Sequence, residues 1–217
     1  VYLSSTSIIY NLAQINARYR WGDYKFIRLM IKIGILGDIG SGKSFIAKQF
    51  GYPVFNADNE VSKIYDKNRK CFKRLKKAIP KYIYSFPINK KEITKSILSN
   101  EKNLKKIINI VHPIVRIKMN KFIKKNKKKK LIVLDVPLLL ENKIEKNANF
   151  LVFVEAKNNE IIKNLKRRKN YNPKVIKILK KFQLPLKYKK KKSNFIIKNN
   201  FKMEPVKKSV KLLKNKI

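Results

Sequence analysis

An α/β fold, a parallel sheet covered on both faces by helices, is what this sequence predicts, and three observations predict it. Short runs that are apolar throughout alternate with segments of helical period, the pattern of strands buried on both faces. Four of the six glycines fall within residues 34–42, between one such run and a helical stretch. With 217 residues, 44% of them apolar, the chain can furnish a core for one domain, or for one with a small insertion.

Residues 1–29 precede the first strand pattern and differ from the rest, with Ser4, Ser5, Thr6, Ser7, three Arg and a single acid, Asp23. They read as translation from upstream of a natural start at Met30, or as a Ser/Arg-rich targeting segment. Either way they stand outside the expected fold. Ile31–Leu36 is the first strand, followed by a glycine loop and a helix over 43–50 that Gly51 can end in the left-handed conformation. Pro53–Phe55 is a short second strand ending at Asn56-Ala57-Asp58. Little strand signal follows until residue 130. Leu104, Ile107, Ile108 and Val111 fall on one face of a helix, and Pro113 suits the first turn of the next. Leu131–Asp135 is a third strand and Phe150–Val154 a fourth. Residues 159–168 are helical with Ile161, Ile162 and Leu165 inward. Asn172-Pro173 opens a further helix by cap and first-turn logic, with Val175, Ile176, Leu179 and Phe182 inward. Phe195–Ile197 is the fifth strand, and Val206, Val210, Leu213 and Ile217 mark a closing amphipathic helix.

Composition excludes several classes. Cys71 is the only cysteine, so there is no internal disulfide and no Cys/His cluster for structural zinc. The most apolar run, Leu131–Leu140, is broken by Asp135 and is shorter than the roughly 18 residues a membrane helix needs. A soluble protein of the reducing cytoplasm, with no membrane partner, is the expectation. The net charge of +42 resembles a nucleic-acid signature. Only eight of the 55 basic residues are Arg, however, and Arg is the side chain with the planar fork suited to bases and phosphates. Lys, Ile and Asn share A/T-rich codons, so a biased genome accounts for the excess. Lys124–Lys130 and Lys187–Lys192 therefore read as solvated faces, and nucleic acid is not an expected partner. A basic nucleic-acid-binding ATPase is kept as an alternative, testable by salt-dependent binding.

Gly37-Asp38-Ile39-Gly40-Ser41-Gly42-Lys43-Ser44 matches the pattern G-x-x-x-x-G-K-S between a strand and a helix. Glycines let the backbone curl so that successive N–H groups converge on phosphate oxygens, and the helix N-terminus adds positive potential. Lys43 would reach the β- and γ-phosphates and the Ser44 hydroxyl would ligate Mg²⁺. Residues 37–44 and the adjoining Phe45 are thus the expected nucleotide-binding segment, with ATP and Mg²⁺ as ligands. Of only five Asp, Asp58 and Asp135 each follow an apolar strand, where ligands sit in an open parallel sheet. One can anchor hydrated Mg²⁺ while the other orients or deprotonates an acceptor hydroxyl. On residues alone the acceptor stays open, a nucleotide or another small metabolite serving equally.

These motifs in this order, together with His112-Pro113 and Asp135-Val136-Pro137-Leu138-Leu139-Leu140-Glu141, resemble dephospho-coenzyme A kinases from residue 31 to about 200. The resemblance implies a three-layer P-loop kinase core with a five-stranded parallel sheet, a helical substrate region over about 60–125 and a lid over about 164–190. It implies phosphorylation of the ribose 3′-hydroxyl of dephospho-coenzyme A by ATP, the last step of coenzyme A synthesis. Carried over by position, Asp58 is the base at the acceptor ribose, Lys43 and Ser44 keep their loop roles, and Asp135 is the acid near the metal. Arg168 is a lid arginine closing on the phosphates, and Asn199 lies near the adenine. His112, the only histidine, stays outside the catalytic set. The chain departs from the family pattern in carrying Asp38 for Gly, Asn56 for Asp, Asn164 and Lys91 for Arg, and Phe201 for Gly. Oligomeric state is not legible.

Overall fold

The computed structural model describes residues 30–168 and 171–217. The expectations for residues 1–29 lie outside the described residues. Five strands, β1 (Ile31–Gly37), β2 (Val54–Asn56), β3 (Leu131–Asp135), β4 (Phe150–Glu155) and β5 (Phe195–Lys198), form one sheet in the order β2-β3-β1-β4-β5. The first strand is central, parallel to β3 on one side and β4 on the other, and β4 is parallel to β5. Among the described residues the helices are α1 (Lys43–Gln49), α2 (Ala57–Lys67), α3 (Arg69–Ala78), α4 (Lys90–Ser99), α5 (Lys102–Lys125), α6 (Asn158–Lys166), α7 (Pro173–Lys181), α8 (Leu186–Lys191) and α9 (Met203–Lys214). The predicted α/β class and five-stranded parallel sheet are what the chain adopts.

The described residues divide into two compact units: 30–55, 126–168 and 184–217 form the first, and 56–125 with 171–183 the second. In the first unit the period-2 rule sorts the strands cleanly. Ile33, Ile35, Leu131, Val133, Val152, Val154, Phe195 and Ile197 share one face and bury against Ile46, Ala47 and Phe50 of α1 and Val206, Val210 and Leu213 of α9. Leu36, Ile132, Leu134 and Phe153 alternate with them and are also buried, with α8 packed against β1. Each such side chain stabilises the unit by roughly 1.5–3 kcal/mol through area withdrawn from water. Gly51 takes φ 71° directly after α1, as expected of a left-handed stop.

In the second unit α5 is the spine on which α2, α3 and α4 pack, with α7 against α4. Pro113 does not open a new helix; it sits inside a single 24-residue α5. The buried stripe runs on through Val111, Val115 and Met119. Burying two further side chains outweighs the roughly 3 kcal/mol that an interior proline costs. Ile110 rather than Ile108 is buried in this helix, Ile108 being half-buried. In α7 the Asn172 cap holds, its Oδ1 accepting from the Val175 N–H at 3.1 Å. The deeply buried residue there is Ile178, with the four expected positions half-buried. In α6 of the first unit, Ile161 and Leu165 are buried but Ile162 is 42% exposed, since one residue is about 100° of helix rotation.

Candidate active site

Parallel strands bring their carboxyl ends to one edge of the sheet, so Gly37, Asp135, Glu155 and Lys198 end side by side. The glycine loop lies there, between β1 and α1. Gly40 and Gly42 have φ of 85° and 88°, conformations an L side chain resists. A Cβ at Gly42 would lie 2.2 Å from Asn199 Nδ2, and one at Gly40 would lie 2.6 Å from Leu165 Cγ. Only hydrogen fits, so the loop is pressed between the β5–α9 turn and helix α6. Lys43 Nζ donates to the Asp38 carbonyl at 2.6 Å and to the Gly37 carbonyl at 3.3 Å, holding the ammonium over the loop. Ser41 Oγ is buried and has no hydrogen-bond partner among the described residues. Ser44, in the first turn of α1, is exposed, and Phe45 is half-buried. Beside the loop is a cavity of about 290 Å³, lined in part by Asp38, Ser41, Phe153, Ile161, Leu186 and Lys190.

Asp38 is buried in this loop, and its Oδ1 accepts the Ile39 N–H at 2.7 Å. It fixes a negative charge where an anion should be received. Asp38→Asn keeps the Oδ1 acceptor and removes the charge. The expected result is an ATP dissociation constant lower by about three- to tenfold at low salt, with less gain at high salt. Calorimetric titration of both proteins at two ionic strengths checks it, and equal affinities would show that the charge at residue 38 is already compensated.

Asp135 ends β3 at 3% exposure, one residue past Leu134, which pairs with Gly34 of β1. The chain then bends through Leu138 at φ 60°. The Leu138 carbonyl accepts from both the backbone N–H and the side-chain Nδ2 of Asn142, at 3.0 and 2.7 Å. Glu141, the last residue of the Asp-Val-Pro-Leu-Leu-Leu-Glu run, pairs with Lys189 of α8 at 2.7 Å, their side chains 12% and 3% exposed. The same Oε1 accepts the Leu184 N–H at 2.9 Å, while Oε2 is buried with no hydrogen-bond partner among the described residues. Removing the lysine strands a carboxylate. Lys189→Met is therefore expected to lose about 3–5 kcal/mol of unfolding free energy, with much of it regained in the double variant Glu141→Leu, Lys189→Met. Urea denaturation of the three proteins reads this directly.

Arg168 stands exposed just beyond α6, its N–H bonded to the Leu165 carbonyl at 3.0 Å. Asn199 does not project into solvent. It is 2% exposed, its Nδ2 donates to the Ser41 carbonyl at 2.8 Å, and its Oδ1 accepts the Phe201 N–H at 2.9 Å. Phe201 has φ 60°, and its ring lies 3.1 Å from where a Gly42 Cβ would stand. The glycine loop and Asn199 are thus one contacting group in the first unit, with Asp135 on the neighbouring strand.

Asp58 belongs to the second unit, exposed in the first turn of α2. Asn56 caps this helix, its Oδ1 accepting the Asn59 N–H at 2.8 Å. An amide serves that cap as a carboxylate would, so the family departure at residue 56 leaves the helix start intact. Asp58 and Glu60 both suit the positive end of the helix dipole. The Lys63 ammonium hydrogen-bonded to Glu60 holds its carboxyl below the usual range, partial burial opposes this, and Lys118 adds to it. His112 is half-buried inside α5. Lys91 is exposed near the start of α4.

Two features were not legible in advance. Asn164 lies on the loop side of α6 and donates from Nδ2 to the Gly40 carbonyl at 3.0 Å. Lys189 is buried although it sits in a run of lysines whose neighbours are exposed. Only Glu141, an acid closing an apolar run, hinted that a buried cation was required.

Comparison with known proteins gives the family. A family model described as dephospho-CoA kinase matches residues 31–204. The chain is 35% identical over 184 residues to a dephospho-CoA kinase of the Wolbachia of Brugia malayi, covering 82% of this chain and 94% of that one. It is 30% identical to the dephospho-CoA kinase of Bartonella quintana, covering 79% and 90% of the two chains. Among solved structures it resembles a Thermus thermophilus protein with a TM-score of 0.70 at 24% identity, over 87% of this chain and 98% of that one. A dephospho-CoA kinase from Campylobacter jejuni superposes with a TM-score of 0.56 at 21% identity, over 85% and 96%. These two likenesses concern the fold.

Proposed function

The chain belongs to the dephospho-CoA kinase family, and from that premise we propose that it transfers the γ-phosphoryl group of ATP to the ribose 3′-hydroxyl of dephospho-coenzyme A. The observation that carries the reading is a family match running from the first strand into the last helix, over a chain that keeps Lys43, Ser44 and Asp58. No helix among the described residues is long and apolar enough to cross a membrane.

In this reading backbone amides of the glycine loop, other than those of Ile39 and Ser41 that bond to Asp38, and the positive end of α1 grip the phosphates, so that the chain prepays orientation and charge stabilisation. Lys43 exchanges its contacts with the Gly37 and Asp38 carbonyls for phosphate oxygens, placing a cation where charge develops. Asp58 accepts the proton of the acceptor hydroxyl as the phosphorus–oxygen bond forms. Arg168 closes on the phosphates from a lid over about 164–190, while residues of about 60–125 take the acceptor. Asn199 serves the nucleotide side of the site.

The residues suit a magnesium ion. Among the described residues no group of three or more His, Cys, Asp or Glu could cage a metal, which is the situation of a cation carried mainly by phosphates and water. Ser44 Oγ and Asp135 are the hard oxygen donors that would hold it. A magnesium ion held there would supply positive charge that offsets the charge of the phosphates.

The test is ADP release with ATP and Mg²⁺, with and without dephospho-coenzyme A, and mass analysis of the product. Release that depends on dephospho-coenzyme A and yields coenzyme A is expected. Release with no such dependence, or faster with nucleoside monophosphates, would replace this acceptor with another.

A further inference from the structure

We infer that Asn164 and Asn199 are positioning residues of the phosphate loop, tying down two successive peptide groups: Asn199 turns the Gly42 N–H and not the Ser41 carbonyl toward an anion, and Asn164 holds the Gly40–Ser41 peptide in the loop's own turn. The inference rests on reading residues 37–44 as the phosphate cradle. It adds a role for two amides that touch the loop's outer side.

A cradle for anions has a structural problem on its far side. Each N–H turned toward phosphate forces the carbonyl of the same peptide to point the opposite way, because the two are antiparallel in a planar unit. When that far side is buried, the carbonyls need donors. Gly40 and Ser41 are both buried. They precede α1, whose first helical bond in this region runs from the Ile46 N–H to the Gly42 carbonyl at 3.0 Å. No turn of helix therefore supplies their donors. Asn164 Nδ2 reaches the Gly40 carbonyl at 3.0 Å and Asn199 Nδ2 reaches the Ser41 carbonyl at 2.8 Å.

The two tethers act on different peptides. Asn199 fixes the Ser41–Gly42 unit, which aims the Gly42 N–H away from the tether. Asn164 fixes the Gly40–Ser41 unit, whose N–H closes the loop's own turn on the Asp38 carbonyl at 3.2 Å. Gly40 and Gly42 flank these units in left-handed conformations, and glycine gives little resistance to peptide rotation. Without Asn199, a flip of the Ser41–Gly42 unit would exchange an attracting N–H for a repelling oxygen; without Asn164, a flip of the Gly40–Ser41 unit would break the turn on the Asp38 carbonyl that shapes the loop. The orientation of Asn199 is itself unambiguous: its Oδ1 accepts the Phe201 N–H at 2.9 Å, so its other end must be the amino group.

The experiment uses the whole chain with Asn164→Leu, Asn199→Asp and Asn199→Ala. Direct titration gives the affinity for ATP with Mg²⁺, and phosphoryl transfer gives KM for each substrate. Each variant is expected to bind ATP about tenfold more weakly, the scale of one lost hydrogen bond. KM for dephospho-coenzyme A is expected to stay within about twofold, since a tether on the loop acts on the nucleotide alone. Asn199→Asp has an additional signature. Burial against the Ser41 carbonyl favours the neutral form of its carboxyl, and once protonated it can again donate to that carbonyl, so ATP affinity relative to wild type recovers as pH falls, whereas Asn199→Ala shows no recovery. Unchanged ATP affinity in Asn164→Leu or Asn199→Asp overturns the inference, whatever happens to the melting temperature. If the buried Asn199 variants do not fold, the half-buried Asn164→Leu carries the test alone. A wild-type protein that binds ATP but leaves dephospho-coenzyme A untouched would end the acceptor reading and leave the tethers standing.

Discussion

Asp58→Asn is expected to turn over dephospho-coenzyme A more slowly than the parent by about 10²-fold or more in kcat, while its ATP affinity changes little. Asparagine matches aspartate in shape and keeps an oxygen acceptor, so the helix start and the hydroxyl's orientation survive. It cannot take a proton at neutral pH. What is lost is the difference between a hydroxyl and an alkoxide-like nucleophile at the moment of attack. The exposure of Asp58 matters to the interpretation. A surface carboxylate in the first turn of α2 makes a small contribution to stability, so a large kinetic loss cannot be assigned to unfolding. Single-turnover measurement of coenzyme A formation, with ATP affinity measured separately, checks it. A kcat within about threefold of the parent would remove Asp58 from the role of base and leave positioning and charge as the whole of catalysis.

Lys43→Ala has the second large effect, of a different kind. The expected loss in kcat/KM for ATP is on the order of 10²–10³, the scale of deleting one preorganised donor at a site of developing charge. Part of it appears as weaker ATP binding, because the lysine meets the ground-state phosphates as well as the transition state. Lys43→Arg is not expected to restore the rate. The ammonium is a compact point charge that fits over the Gly37 and Asp38 carbonyls at 3.3 and 2.6 Å, whereas a planar guanidinium needs more room and a different approach. Steady-state kinetics of both variants, with circular dichroism for folding, distinguish these outcomes. Near-normal kcat/KM in Lys43→Ala would mean that the loop amides alone hold the reacting phosphate.

The sheet was readable because β1, β3, β4 and β5 are largely buried on both faces and so consist of mostly apolar runs, broken in β1 by Lys32, that need no tertiary information to recognise. The phosphate loop was readable for a different reason: its glycines are required locally, by backbone conformation and close approach, and the sequence records them residue by residue. Pro113 misled because its local preference for a helix start is real, and was overruled only by packing along the whole stripe from Leu104 to Met119. The partners of Asn164, Lys189 and Asn199 were not readable. Their carbonyls and carboxylate lie 124, 48 and 158 positions away in the chain, and an asparagine that braces a loop has the same local pattern as one that faces water.

Helix α6 brings together several of these parts by spacing alone. Leu165 packs on Gly40 and Asn164 holds the Gly40 carbonyl. Residues 161, 164 and 165 fall at the intervals that share a helical stripe. The phase of this short segment is therefore informational: one residue inserted or deleted between 161 and 164 would swing everything after it in the helix by about 100°. The strands would be untouched, and the asparagine and leucine would face away from the loop they support. In related sequences, length between β4 and residue 165 should thus be less free to drift than the identities of the exposed residues along it.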